Sequence, residues 1–261
     1  MFCNFLFVNR WGFHTHAGID GYSRLIVYLR CSTTNRADNV LAAFATACNS
    51  YGLPSRVRCD CGGENILVGV LMNVLRGSHR GSFITGRSVH NQRIERLWRD
   101  VHKEVTQPLY MRFYNMEDAG KLRADDELHR FALHKAFLPD INDKLASFAA
   151  AWNMHRIRTA HNKTPNQLWI EGSLQAADAE SGTVATELRD CGENFFERLS
   201  SRLSELGVDT SAVEPEVPPA PAVVLTSEQQ QQLDVALESV SDIEIKYDTI
   251  IAKLAEFDVN L

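Results

Sequence analysis

The apolar and polar residues of the first 90 positions follow two different periods. Strand-forming residues surround an Asp20-Gly21 dipeptide, which is typical of a hairpin turn, whereas apolar residues in 39–51 recur at helical spacing. The predicted strands cover residues 2–8, 13–19, 25–29 and 57–61. A group of strands followed by a helix and a further strand is the order expected of a mixed sheet covered by helices. The sequence therefore predicts an α/β fold.

Helical spacing dominates the rest of the chain. A short helix over 66–75 precedes a basic, glycine-bearing loop at 76–82 and a brief strand at Phe83-Ile84. The loop is either plain surface or an arm that contacts phosphate. A long helix starts at Gln92, and its apolar stripe consists of Ile94, Leu97, Trp98, Val101 and Val105. Further helices are predicted over 138–152, from Thr164-Pro165, over 226–237 and over 247–257.

Charge divides the chain into two unlike parts. The net charge is −6, but residues 1–174 carry a net +7 and residues 175–261 a net −13. A basic front part suits a phosphate-bearing partner, and an acidic rear part suits a solvated tail or a protein partner. We predict a core domain over 1–172, an acidic and proline-rich linker over 173–225, and a helical segment over 226–261.

The composition narrows the class of protein further. No apolar run approaches the length of a membrane span, and the short apolar start makes a poor signal peptide, so we expect no membrane association and no secretion. The six cysteines lack C-x-x-C spacing. Cys59 and Cys61 leave a zinc site open, but reduced buried thiols are the favoured interpretation.

Two carboxylates stand out as candidate chemistry. Asp60 ends a buried strand before a glycine turn, and Glu95 lies beside the apolar stripe of the helix that starts at Gln92. Two carboxylates delivered by a strand end and a helix face can hold Mg²⁺ or Mn²⁺ against a phosphate. The alternative for each residue alone is a turn aspartate and a solvated helix glutamate.

The order of several motifs resembles the integrase core (DDE) family of retroviral integrases and related transposases, and is similar to animal integrase core domain-containing proteins descended from mobile elements. The matching segments are GIDGYSRLIVY at 18–28, NRAD at 35–38, YGLPSRVR at 51–58, DCGGEN at 60–65 and NQRIERLWRD at 91–100, with weaker matches at 152–155 and 164–169. This resemblance implies a ribonuclease H-like fold, two metal ions, DNA as partner and transfer of polynucleotide strands. A nuclear location and a possible homo-oligomer are expected from the family alone.

Basic residues near these motifs are candidate nucleic-acid contacts. In the family that the chain resembles, a basic residue one turn after the glutamate contacts DNA, and Arg99 holds that position. The remaining candidates are the basic residues that flank the glutamate or cluster in the later loop, namely Arg96, Lys103, Arg156, Arg158 and Lys163. A salt-bridged, exposed helix face is the alternative for the residues that follow Glu95.

The first carboxylate of the family's triad has no clear counterpart here. Asp20 lies in the hairpin turn, where Asp-Gly is explained by backbone geometry. Aligned through Arg10-Trp11, the family's first aspartate falls near Cys3 and Asn4, and both bind Mg²⁺ poorly. Either the first strand lies upstream of this sequence, or the chain is a derived copy that has lost strand transfer.

These observations leave three functional hypotheses. The first is an integrase or transposase homologue for DNA cleavage, joining and integration, truncated or impaired in catalysis. The second is a non-enzymatic nucleic-acid-binding or assembly protein that keeps the integrase scaffold. The third is an unrelated Mg²⁺ phosphohydrolase. A protein of that kind has no surface that follows the DNA backbone, so its DNA affinity should not fall steeply with salt.

Overall fold

A computed structural model describes residues 2–5, 9–60, 62–77, 80–86, 92–177 and 223–257 of the 261-residue chain. Strands run over β1 (Phe2–Phe5), β2 (His14–Ile19), β3 (Ile26–Ser32), β4 (Val57–Cys59) and β5 (Phe83–Thr85). Helices run over α1 (Ala37–Tyr51), α2 (Ile66–Arg76), α3 (Gln92–Val101), α4 (Gln107–Asp118), α5 (Glu127–Met154), α6 (Pro165–Ala177), α7 (Ser227–Glu238) and α8 (Ile243–Glu256).

The strands form an antiparallel sheet, β1-β2-β3, and a parallel pair, β4-β5. β1 of the sheet lies beside β4 of the pair, so the strands follow in space as β3, β2, β1, β4, β5. The position between β2 and β4 is thus filled by Phe2–Phe5, as the sequence allowed. The side chains of these four residues lie outside the description.

Helices cover both faces of these strands, as the mixed pattern predicted. Side chains of β4, α1 and α2 form one apolar cluster, against which Tyr28 of β3 packs. The next residue, Leu29, belongs to a second cluster with α3, α4 and α5. Neighbouring residues of a strand point to opposite faces, so the two clusters lie on opposite sides of β3. Gly69 lets α2 approach β5 closely, because an added Cβ would lie 2.6 Å from the Phe83 ring.

Two asparagines of α5 hydrogen-bond to the backbone of the edge strand β3. Asn142 accepts from the Cys31 amide at 2.9 Å and donates to the Cys31 carbonyl at 3.1 Å. Asn153 makes the same pair of bonds with Ile26, at 2.9 and 3.0 Å. Eleven helical residues rise about 16 Å, which is also the length of five residues of a strand. This match of lengths lets one straight helix satisfy an edge that would otherwise be open to pairing with another chain.

The acidic C-terminal segment contains helices that pack on the core. Leu233 of α7 and Tyr247, Ile250 and Leu254 of α8 are buried in the cluster that includes α5. The Tyr247 hydroxyl donates to the Lys121 carbonyl at 3.1 Å and lies 2.5 Å from Nδ1 of His129. The apolar residues of the helix predicted over 247–257 are thus buried by packing on the core.

Two helix boundaries differ from the prediction because of proline. α5 begins at Glu127, where Asp126 caps the Leu128 and His129 amides, and it passes through Pro139 rather than starting near it. The predicted start at 138 was wrong because Pro139 is tolerated at an exposed site within the helix. Between α3 and α4, residues His102–Thr106 form a π-helical turn just before Pro108, which lacks an amide proton for a helical bond.

Candidate active site and nucleic-acid interface

Asp60 directly follows β4, at the carboxyl end of the parallel pair. Val57 and Cys59 of this strand are fully buried, which anchors the backbone immediately before the aspartate. The Gly86 amide donates to the Cys59 carbonyl at 3.2 Å and extends the contact between the two strand ends. Clefts at the carboxyl ends of parallel strands are common positions for ligand-binding side chains.

One buried amide holds the Asp60 carboxylate. Nδ2 of Asn65 donates to Oδ1 of Asp60 at 3.0 Å and to Oε1 of Glu64 at 2.8 Å. Two carboxylate oxygens that share one donor nitrogen at these distances lie within about 6 Å of each other. Asn65 is 2% exposed. It occupies the N-cap of α2, where asparagine is favoured as a capping residue, yet its side chain makes no capping bond.

Gly62 lies directly beside the Glu64 carboxylate. A Cβ added at Gly62 would lie 2.0 Å from Oε1 of Glu64. The backbone of Gly62, with φ −73° and ψ 141°, is one that any residue adopts. A side chain at position 62 would therefore displace the carboxylate, which is the end of a flexible side chain.

Glu95 lies on α3, one turn after the helix begins. Its neighbours Ile94, Leu97, Trp98 and Val101 are buried in the same cluster as β2 and β3, as the apolar stripe predicted. Glu95 itself is exposed. α3 contacts β1, the strand next to β4, so both candidate carboxylates are carried by elements that meet around the middle of the sheet.

The helix beyond Glu95 exposes positive charge. Arg96, Arg99 and Lys103 are all exposed, as their candidate role requires. Lys103 is paired with Glu104 at 3.2 Å, whereas no ion pair joins Arg96 or Arg99 to any acid in the described part of the chain. The alternative of a salt-bridged face therefore applies to Lys103 and not to the two arginines.

The loop between α5 and α6 is also basic, but one of its three candidate residues is in an ion pair. Arg156 and Arg158 are exposed. Lys163 instead pairs with Glu171 of α6 at 2.7 Å. This ion pair neutralises part of the positive charge that the sequence analysis assigned to nucleic-acid binding. Sequence reasoning missed the role of Glu171 because the two partners are eight residues apart and meet only through the start of α6.

Backbone strain is concentrated where this loop meets the β2–β3 turn. Three non-glycine residues of the described chain have positive φ angles, namely Arg24 (64°), His161 (53°) and Asn162 (60°). Nη1 of Arg24 donates to Oγ1 of Thr159 at 3.1 Å, which joins the two loops. Such conformations cost free energy and tend to occur at binding sites.

One carboxylate oxygen of Asp20 is bonded within its own turn. Its Oδ2 accepts from the Tyr22 amide at 3.0 Å, the Ser23 amide at 2.7 Å and the Ser23 hydroxyl at 2.7 Å. Ser23 is fully buried. These bonds agree with the structural role that the sequence assigned to Asp20.

The predicted position of the family's first aspartate falls on β1. Cys3 is paired with Ala17 and Asn4 with His16 across the antiparallel register. The side chains of Cys3 and Asn4 lie outside the described part of the structure, so the absence of the family's first carboxylate stays a prediction. The possible zinc contact of Cys61 also lies outside it, while Cys31, Cys48 and Cys59 are buried thiols.

The donors near Asp60 suit a hard divalent cation in their chemistry. Two carboxylates converge on one amide, and oxygen donors are those that Mg²⁺ and Mn²⁺ prefer. Within the described ranges, no group of three His, Cys, Asp or Glu side chains is close enough to hold a metal. The residues thus fit part of a site for such an ion.

Comparison with known proteins identifies the family. The model of the family described as integrase core domain matches residues 4–183. The chain belongs to the integrase core family. No curated protein and no solved structure matches it. The ribonuclease H-like α/β fold expected of an integrase core agrees with the mixed strands and flanking helices found here. Among the described helices, none has the length and apolar content needed to cross a bilayer.

Sequence reasoning predicted roles for Asp60 and Glu95 but none for the residues that contact Asp60. Glu64 and Asn65 were part of a recognised motif without an assigned role. An asparagine just before a predicted helix is common as a capping residue, so its sequence position does not indicate a bond to Asp60. The unusual pair of glycines before Glu64 was the available signal.

Proposed function

We propose that this integrase core descends from a DDE polynucleotidyl transferase of a mobile element and binds DNA, with a cleavage and joining centre that lacks one carboxylate. The observation that carries the proposal is the placement of Asp60 at the end of β4 and Glu95 on the exposed face of α3, on elements that meet around β1. A nuclear location and a homo-oligomer belong to the same proposal.

In the ancestral reaction, Asp60 and Glu95 would hold Mg²⁺ or Mn²⁺. The metal supplies a Lewis acid that activates an attacking hydroxyl and stabilises the leaving oxygen of the phosphodiester. The protein's part is to aim the two carboxylates. Burial of β4 fixes the backbone before Asp60, and the apolar stripe of α3 fixes the face that carries Glu95.

DNA is proposed to lie along the exposed bases of α3. Arg96 and Arg99 follow Glu95 on the exposed part of α3 and are proposed to contact phosphates next to it, and Lys103 continues the basic run in the next turn. Arg156, Arg158 and Lys163 form a second basic region, in which Lys163 has to leave Glu171 to contact a phosphate. Charge-assisted contacts of this kind position the backbone and carry little sequence preference.

A second candidate is a non-enzymatic nucleic-acid-binding or assembly protein on the same scaffold. It is favoured by Asp20, whose carboxylate takes three hydrogen bonds within its own turn and is poorly placed to replace a missing ligand. Cys3 and Asn4 at the predicted first position favour it as well.

The test is metal-dependent nicking and strand transfer on short DNA duplexes with Mg²⁺ or Mn²⁺. We would compare the chain as given, Glu95→Gln, Cys3→Asp and the double variant, with Glu104→Gln as a matched change on an exposed glutamate of the same helical run. We expect DNA binding without nicking in the given chain, and nicking in Cys3→Asp that Glu95→Gln abolishes. Nicking by the given chain that depends on Glu95 would contradict the missing-carboxylate proposal. DNA binding with no nicking in any variant would favour the non-enzymatic candidate.

A further inference from the structure

We infer that Asn65 is a positioning residue for Asp60 and that Glu64 holds Asn65 in that role. The inference rests on the proposed metal-binding function of Asp60 and adds two residues to it. Asn65 carries the argument because the residue is almost completely buried and its Nδ2 donates to two carboxylates of the described chain.

The hydrogen bonds of Asn65 fix an orientation. An asparagine amide has one NH₂ group with two hydrogens and one carbonyl oxygen. The NH₂ group faces Oδ1 of Asp60 and Oε1 of Glu64, so each carboxylate engages the nitrogen end. With Glu64 present, turning the amide over would bring its carbonyl oxygen against two carboxylate oxygens, which is electrostatically unfavourable. Glu64 thereby keeps the donor end directed at Asp60.

The surrounding backbone is consistent with this use of Asn65. Asn65 ends the 3-10 turn Gly63–Asn65 that leads directly into α2, and its side chain makes no capping bond. The Ile66 amide bonds the Gly63 carbonyl instead, which leaves the Asn65 amide group free to donate to Asp60. Gly62 leaves the space in which the Glu64 carboxylate lies, since any Cβ at that position would overlap Oε1. Three successive features of the motif thus converge on the orientation of one aspartate.

The consequence for metal binding follows from how such ions are held. Residues that hydrogen-bond a metal-binding carboxylate orient it, and their loss typically weakens metal affinity by about 10- to 100-fold. Asn65 is expected to act in this way on Asp60. Glu64 acts through Asn65, so its contribution should disappear once the amide has been removed.

The test measures the affinity of the full chain for Mn²⁺ alone, from the free-ion signal in electron paramagnetic resonance, together with the melting temperature without metal. The variants are Asp60→Asn, Asn65→Leu, Glu64→Ala and the double change at 64 and 65. Leucine keeps the branched shape and the number of heavy atoms of asparagine, although it is larger, and it removes the donor. Asn73→Leu is the matched control, because Asn73 is exposed on the same helix.

We expect Asn65→Leu to weaken Mn²⁺ binding by about 10-fold or more, Glu64→Ala to weaken it less, and the double variant to equal Asn65→Leu alone. Asn73→Leu should leave the affinity unchanged. If Asn65→Leu does not fold, Glu64→Ala still decides, since it leaves the buried asparagine in place.

Two other outcomes are distinct from each other. If Asp60→Asn abolishes Mn²⁺ binding while Asn65→Leu and Glu64→Ala leave it unchanged, the positioning role is wrong and the proposed metal role of Asp60 stands. If the given chain and Asp60→Asn bind Mn²⁺ equally, or neither binds, the metal role of Asp60 is wrong and the positioning role falls with it. Independent losses at 64 and 65 that add in the double variant would also overturn the inference.

Discussion

Asp20 and Asp60 occupy similar places and have opposite surroundings. Each directly follows a strand, β2 or β4, and each precedes a glycine-containing turn. Asp20 accepts hydrogen bonds from Tyr22 and Ser23, within its own turn. Asp60 accepts from Asn65, a residue at the start of the next helix.

The contrast teaches how to separate a structural from a functional aspartate after a strand. A carboxylate that accepts two amides and a hydroxyl of its own tight turn stabilises that turn. A carboxylate that accepts from a buried side chain shared with a second carboxylate is oriented next to another acid, and such a pair of oxygen donors suits a cation. On this basis the Asp20 region carries the fold and the Asp60 region carries the proposed chemistry.

The largest expected effect is a loss of folding stability on acidification, caused by buried histidines of β2, the strand that ends before Asp20. On β2, burial lowers the pKa of His16 to about 4 and also lowers the pKa of His14. Between about pH 6.5 and 4 the unfolded chain binds a proton that folded His16 does not, so stability falls as the pH drops through this window, by up to about 3 kcal/mol. Urea unfolding at pH 7 and pH 4.5 measures this loss.

Two variants control this prediction. His16→Gln should make the pH dependence less steep. Burial also lowers the pKa of His14, His129 and His134, so part of the dependence should stay. His155→Gln, at an exposed histidine, should leave it unchanged. Asp60→Asn should keep the dependence of the original chain. An equally steep loss in His16→Gln would show that acid acts elsewhere.

Removal of the Asp20 carboxylate should destabilise the fold by about 2 kcal/mol, because two amides and a buried hydroxyl lose a charged acceptor. Asp20→Ala is the change, and chemical denaturation is the measurement. Asp38→Ala, at a half-buried aspartate in the first turn of α1, serves as a comparison with a smaller expected loss. A stability equal to that of the original chain would break the contrast between Asp20 and Asp60.

Disrupting the contact between α5 and β3 should lower the stability of the fold without changing metal binding at the candidate site. Asn142→Ala removes both bonds to Cys31 and should cost about 1–2 kcal/mol, since a strand amide and carbonyl lose their partners. Mn²⁺ affinity should not change. A loss of affinity as large as that of Asp60→Asn would mean that the two regions are coupled.

The smallest expected effect concerns DNA. Arg99→Ala should lower the slope of log binding constant against log salt by about 1, whereas Lys163→Ala should lower it less, because Lys163 is paired with Glu171. Binding titrations at several salt concentrations measure both slopes. Equal losses in the two variants would show that the ion pair opens on DNA.

Much of the fold was predictable because its signals are local. The strands around Asp20 and the apolar stripe of α3 follow from periodicity, and both are confirmed. The start of α5 was predicted too late, since the helix begins at Glu127 and continues through Pro139. The bond from Asn65 to Asp60 could not be predicted because it depends on the path of the turn between them. The roles of Asp60 and Glu95 stay predictions.

The most direct measurement is Mn²⁺ affinity and melting temperature for the matched pair Asp20→Asn and Asp60→Asn. The charge change is the same in both variants. We predict that Asp60→Asn loses Mn²⁺ binding and melts close to the original chain, and that Asp20→Asn keeps Mn²⁺ binding and melts at a lower temperature. Loss of Mn²⁺ binding in a stable Asp20→Asn protein, with binding retained in Asp60→Asn, would contradict the account.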